Sequence, residues 1–222
     1  SDGGAISQLS QGLGVVFEIL NMDMKPYPCC RSAHCAIDGI LEIREQMEAR
    51  LGLKIRNMSE AEILAEQIQA IEIDTYLVGY KQCAVSNGCL HPKTVLDAKF
   101  STPYSAAAAF LYGTVGMEQF EPEVVFDPAV QNLLERVAVR PADRFTGQYP
   151  KHWGCHVKVT MQDGAVYESE VEDPSGSVAR PLSRDQAMKK AEEFLSVVCP
   201  GREQKTIVEL LNLESREQLP II

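Results

Sequence analysis

The runs Trp153-Gly154-Cys155-His156-Val157-Lys158-Val159-Thr160-Met161 and Ala165-Val166-Tyr167-Glu168-Ser169-Glu170-Val171 flank the dipeptide Asp163-Gly164. Each run alternates apolar and polar residues, the period of a strand with one face buried and one wet. Asp-Gly between two such runs favours a tight turn at positive φ, so the segment predicts an antiparallel hairpin. Pro174-Ser175-Gly176 ends it. Upstream, strand and helix patterns follow one another in no βαβ rhythm. With an antiparallel hairpin this late in the chain, the fold class is α+β: a two-layer sheet-and-helix domain with C-terminal helices.

Working outward, Ile68, Ile71, Ile73, Tyr76 and Val78 mark a second strand region, and Val137 with Val139 a short one. Residues 14–20, a compact apolar run, are also expected to be a strand. A long helix is expected from Ser32 to near Gly52, because Ala33, Ile37, Ile40, Leu41, Met47 and Leu51 recur at helical spacing. Residues 59–67 read as a short acidic helix or turn. Residues 79–94 read as loop, since Asn87-Gly88 signals a turn and His91-Pro92 breaks regularity. Residues 105–111 are alanine-rich and helix-favouring, closed by Gly113 and Gly116, and a further helix is expected near Asp127 with Pro128 at its first position. Ser183-Arg184-Asp185-Gln186 is a capping box opening a helix to about residue 198; Pro200-Gly201 stops it, and 207–213 suggests one more. The expected division is an α+β domain over 1–182 and C-terminal helices over 183–222.

The net charge of −10 argues against nucleic acid or an anionic membrane as partner. No apolar run approaches the roughly 18–20 residues of a membrane helix. Ser1-Asp2-Gly3-Gly4 is neither a signal peptide nor a Met start, and seven cysteines without a secretory signal suit a reduced, cytoplasmic setting.

Against that acidic background, residues 25–39 (Lys-Pro-Tyr-Pro-Cys-Cys-Arg-Ser-Ala-His-Cys-Ala-Ile-Asp-Gly) gather positive charge at a helix start. Pro26 and Pro28 keep residues 25–28 extended. Ser32 can act as N-cap. The unpaired N–H groups of the first turn, with Lys25 and Arg31 beside them, suit an anion. His34 sits in the first turn, where the positive helix end favours the neutral, basic ring. Read alone, Lys25 is a solvated surface charge, His34 a histidine bonded to a neighbouring carbonyl, Tyr104 a packing residue and Ser101 a cap. The cysteines invite a metal, but Cys29, Cys30, His34 and Cys35 fit zinc spacing poorly; Cys83, Cys89, His91, Cys155 and His156 could add ligands, yet buried structural cysteine is the commoner case and no metal is expected. The acidic runs 42–48 and 60–66 are solvated helix faces.

The lysine–proline–aromatic–proline junction at 25–28 resembles that of the MmgE/PrpD superfamily, which includes 2-methylcitrate dehydratase, cis-aconitate decarboxylase and iminodisuccinate epimerase. The likeness continues at Asp97-Ala98-Lys99-Phe100-Ser101-Thr102-Pro103-Tyr104-Ser105-Ala106-Ala107, at Leu111-Tyr112-Gly113, at Asp163-Gly164 and over 176–183. It implies the later half of such an enzyme, one wall of a site shared with a separate helical domain on which residues 183–222 would pack, and a homodimer. It implies Lys25 and Tyr104 as catalytic candidates; the helix-start reading adds His34 as a candidate base, with Arg31, Ser32 and Cys30 expected to bind substrate. The chemistry implied is proton abstraction beside a carboxylate of a small di- or tricarboxylic acid, by a dehydratase or epimerase needing no cofactor. Cys30 stands where the decarboxylase has a catalytic histidine, which points away from decarboxylation. The isolated chain is expected to be inactive or nearly so. A non-catalytic subunit that docks a helical partner, and a zinc or thiol protein, are the rival readings.

Overall fold

The computed structural model describes residues 10–212. They divide into two compact units, Lys25–Ser175, and residues 10–24 together with 176–212.

The larger unit holds a four-stranded mixed sheet and the helices that cover one of its faces. In chain order its elements are α1 (His34–Leu51), α2 (Met58–Glu66), β1 (Ile68–Thr75), α3 (Leu77–Cys83), α4 (Asn87–Leu90), α5 (Val95–Lys99), α6 (Thr102–Tyr112), α7 (Pro122–Val125), α8 (Pro128–Leu134), β2 (Val137–Pro141), α9 (Asp143–Thr146), β3 (Cys155–Met161) and β4 (Val166–Val171). The strand order is β2-β1-β3-β4. β3 and β4 form the expected hairpin. Gly164 takes φ +86°, the Ala165 N–H bonds Asp163 Oδ1 at 2.8 Å, and Val157 faces Ser169 across the ladder. β1 runs antiparallel to β3 but parallel to β2. That parallel pair is a crossover the sequence rhythm did not announce, because six helices separate its strands.

Alternation sorts the sheet's two faces. Ile71, Ile73, Cys155, Val157, Val159, Tyr167 and Val171 are buried on one. The other carries ion pairs at register positions: Lys158 reaches Glu72 at 3.1 Å, and Arg140 reaches Glu72 at 2.9 Å and Asp74 at 3.4 Å. α1 lies on the buried face. The missing side chain of Gly39 makes this possible, for a Cβ there would stand 2.8 Å from Val157 Cγ2. Polar ties fix α1 lengthwise: Ser169 Oγ donates to Glu42 at 2.7 Å and Gln46 Nε2 to the Glu168 carbonyl at 3.0 Å. α6, buried from Thr102 to Leu111, packs on α1. Arg44 of α1 donates to the Phe110 and Leu111 carbonyls, satisfying the last turn of α6.

Three local expectations are corrected. Residues 14–20 are not a strand: a turn at 11–15 leads to a 3₁₀ turn, Glu18–Asn21, and Val15, Phe17, Ile19 and Leu20 are exposed. An apolar run signals burial or a partner rather than a conformation. Residues 79–94 are mostly helical, as α3 and α4. Ser86 caps α4 by accepting the Cys89 N–H at 3.1 Å, so Asn87-Gly88 enters a helix instead of turning. Ser32 does not cap α1, which starts at His34 after a 3₁₀ turn, Arg31–Ala33.

In the smaller unit, Met24 N–H bonds the Gly176 carbonyl at 2.7 Å and Val178 N–H bonds Asp23 Oδ1 at 3.0 Å. The capping box at Ser183 and Gln186 is formed and opens α10 (Arg184–Val198). α11 (Glu203–Leu211) packs on α10; Leu213, the end of the expected last helix, lies outside the described residues.

Candidate functional site

The Cys29 carbonyl is the meeting point of the 25–39 stretch. Lys25 Nζ donates to it at 3.3 Å and His34 Nε2 stands 3.4 Å from it. Arg31 Nη1 contacts His34 Nδ1 at 3.2 Å and donates to the Ser175 carbonyl at 3.0 Å. A guanidinium only donates, so Nδ1 is the acceptor and the ring proton sits on Nε2, pointing at Cys29. His34 is therefore a neutral ring, fully buried, holding Arg31 with one nitrogen and the backbone with the other. Asp38, one helical turn on, accepts the Tyr27 hydroxyl at 2.5 Å and the Ser175 N–H at 2.6 Å, and Tyr27 packs edge-on against His34 with centroids 5.1 Å apart. Lys25 is exposed, whereas Arg31, Ser32 and His34 are buried. The structure thus brings Lys25, Arg31 and His34 together at one corner.

Ser32 is spent inside the protein. Its Oγ donates to Gln82 Oε1 at 2.8 Å and accepts the Tyr76 hydroxyl at 2.8 Å, clamping α3 against the entry to α1. Tyr76 is stacked on Tyr149 with centroids 4.7 Å apart. The Cys30 N–H bonds the Lys99 carbonyl at 2.8 Å. The pKa of the half-buried Cys30 is lowered to about 6, chiefly by the influence of the Cys83 thiol and with help from Ser32 and the Lys25 charge, against the cost of burial. Its neighbour Cys29 is pushed up to about 12 by burial.

Tyr104 makes its contacts with other residues. It is fully buried in α6, its hydroxyl donates to the Gln119 carbonyl, its ring leans on Phe120, and burial raises its pKa. All seven cysteines are free. Among the described residues, the donors that gather as a metal's ligands would are His152, Glu172 and Asp173, within 4.8 Å of one another, rather than the cysteines. Two participants escaped the sequence reading, Asp38 and Gln82, and Cys83 was considered only as a possible metal ligand. Asp38 stands four residues after His34, on the same helical face, which is a usable signal. Gln82 lay in residues read as loop and carried none.

A mixed sheet backed by α1 and α6, with a basic corner at the head of α1, defines an α+β domain. The chain belongs to the MmgE/PrpD family: the model of the MmgE/PrpD C-terminal domain matches residues 27–214. It is 23% identical over 212 residues, 94% of its length, to a cis-aconitate decarboxylase-like protein, oryM, of Aspergillus oryzae, covering 41% of that protein. It is 25% identical over 136 residues, 59% of its length, to the cis-aconitate decarboxylase of Mus musculus, covering 27% of it. The chain therefore spans less than half the length of the curated relatives it matches. No helix among the described residues is long and apolar enough to cross a membrane.

Proposed function

We propose that this chain forms one wall of a lyase or isomerase site for a small di- or tricarboxylic acid, at which a proton beside a carboxylate is removed. The meeting of Lys25 and His34 at the Cys29 carbonyl, with Arg31 on the other nitrogen of the His34 ring, supports this reading. It gathers cationic groups at one corner of a chain whose net charge is −10. Lys25, exposed, is the group that meets a substrate carboxylate and the negative charge developing as the proton leaves. Arg31 and His34 act through position: the neutral ring holds the guanidinium, which in turn ties the corner to Ser175. Dehydration and epimerisation both begin with this step. The names of the relatives add decarboxylation of a tricarboxylate to the candidates.

The remainder of the site belongs, in this proposal, to a helical portion that the relatives' greater length leaves room for. The apolar outer residues of α10 and α11, with Val197 73% and Val198 69% exposed, suit docking of such a portion or of a separate helical subunit. The test is to assay the 222-residue chain alone, and joined to a helical portion from a family member, for dehydration, epimerisation and decarboxylation of citrate, cis-aconitate and related acids. Turnover is expected only in the joined form, with Lys25→Met lowering kcat/KM by about 10²–10³-fold. Robust turnover by the chain alone, or an undiminished Lys25→Met enzyme, overturns the proposal.

A further inference from the structure

We propose that His152, Glu172 and Asp173 form a site for a divalent cation of the zinc type, at the open end of the β3–β4 hairpin. None of the cysteines weighed as ligands takes part, and the site does not rest on the polycarboxylate reading.

The hairpin brings the three residues together. Cys155 pairs with Val171, so the residues just before β3 and just after β4 leave the sheet side by side. Gly154 keeps the two segments close, for a Cβ there would stand 3.0 Å from the Val171 carbonyl oxygen and 3.2 Å from that of Glu172. The His152 N–H bonds the Gln148 carbonyl at 3.0 Å. Its ring Nδ1 then lies 2.7 Å from Asp173 Oδ2 and 3.8 Å from Glu172 Oε1, and the three ligand atoms all fall within 4.8 Å of one another. The His152 and Asp173 side chains are 24% and 13% exposed, whereas Glu172, 68% exposed, forms the open side.

A histidine–aspartate hydrogen bond alone accounts for the short contact, but not for Glu172. Nδ1 carries at most one proton, and with Asp173 at 2.7 Å that proton cannot also serve Glu172 at 3.8 Å. Two carboxylates drawn to one nitrogen repel each other, and a divalent cation between them turns that repulsion into attraction.

The distances suit such an ion. Zinc bonds nitrogen and oxygen at about 2.0–2.2 Å, which sets neighbouring ligands of a tetrahedral site roughly 3.4 Å apart. The two observed separations bracket that value. Seating the ion opens one by roughly 0.7 Å and closes the other by roughly 0.4 Å. One imidazole nitrogen with two carboxylate oxygens favours zinc over magnesium or calcium, which take oxygen ligands. The ring would bind through Nδ1 as the neutral imidazole, with its proton on Nε2, and water would fill the fourth position. Asp173 precedes Ser175 by two residues, and Ser175 is held by both Arg31 and Asp38. A bound ion therefore braces the loop that backs the basic corner.

Trp153, the chain's only tryptophan, follows His152 and packs edge-on against Tyr149 with centroids 5.4 Å apart, so its emission reports on this site. The experiment titrates the reduced 222-residue protein with zinc chloride in millimolar magnesium, following Trp153 emission. A parallel titration with cobalt chloride follows the absorption spectrum. The expected results are saturation at one ion per chain, a melting temperature raised by zinc, and cobalt bands without the intense near-ultraviolet absorption of a thiolate ligand. Glu172→Gln and Asp173→Asn should each weaken zinc binding at least about tenfold, and His152→Ala more, since losing even an outer partner of a ligand costs about 10–100-fold. A Trp153 signal unmoved by zinc, equal affinity in wild type and Glu172→Gln, or cobalt held by thiolate overturns the proposal. Glu172→Gln, changed at an exposed side chain, decides the matter if another variant fails to fold.

Discussion

Asp38 accepts from two directions, the Tyr27 hydroxyl on Oδ1 and the Ser175 N–H on Oδ2, and it is buried where water cannot replace either donor. As a carboxylate it needs no proton of its own for this. An asparagine there would turn an NH₂ toward one of the two donors. Asp38→Asn is therefore expected to lower stability by about 1–3 kcal/mol, and Tyr27→Phe by about 1 kcal/mol, in urea unfolding. The double variant should cost less than the two single losses added together, because both remove the same bond. An additive pair, or a Tyr27→Phe costlier than Asp38→Asn, would refute this account of the corner. His34 follows the same logic at shorter range. Its place near a helix start was legible from spacing, but the atom carrying its proton depends on Arg31, whose guanidinium reaches it only once the 3₁₀ turn has formed.

At the scale of elements, α1 meets β3 at a distance set by Gly39 and Val157. An added methyl at Gly39 would stand 2.8 Å from Val157 Cγ2, and that β-branched side chain is confined between strands with little freedom to rotate away. Alanine is the better helix former by up to about 1 kcal/mol, but overpacking costs about 1–3 kcal/mol, so Gly39→Ala is expected to destabilise on balance. In a double-mutant cycle by thermal or urea unfolding, Gly39→Ala should cost less in a Val157→Ala background than in wild type. Equal costs in the two backgrounds would show that the methyl finds room elsewhere. α3 shows how an element can hide: its seven residues carry too few apolar positions to display a period, and only Tyr76 separates it from the strand before it. Its place comes from Tyr76 and Gln82 on Ser32, contacts of long sequence separation.

For the whole molecule, burial is unevenly shared. β1, β3 and α1 lie among fully buried residues, whereas α10 has no buried residue. Amide exchange in deuterated buffer should therefore be slowest in β1, β3 and the middle of α1, and faster in α10 by about two orders of magnitude or more. Comparable protection in α10 would mean that a partner or a second copy covers it. The hairpin, α1, α6, α8 and the capping box could be read from the chain because each rests on interactions within a few residues: alternation, helical spacing, an Asp-Gly turn, a proline at a helix start. The α+β class followed from those elements. The parallel pairing of β1 with β2, the helical nature of residues 77–90, the exposed turn at 11–15 and the partners of Arg31, Ser32, Asp38 and Cys30 were decided only by the tertiary structure. Each depends on atoms brought together from distant parts of the chain, and local periodicity carries no record of which distant group will arrive.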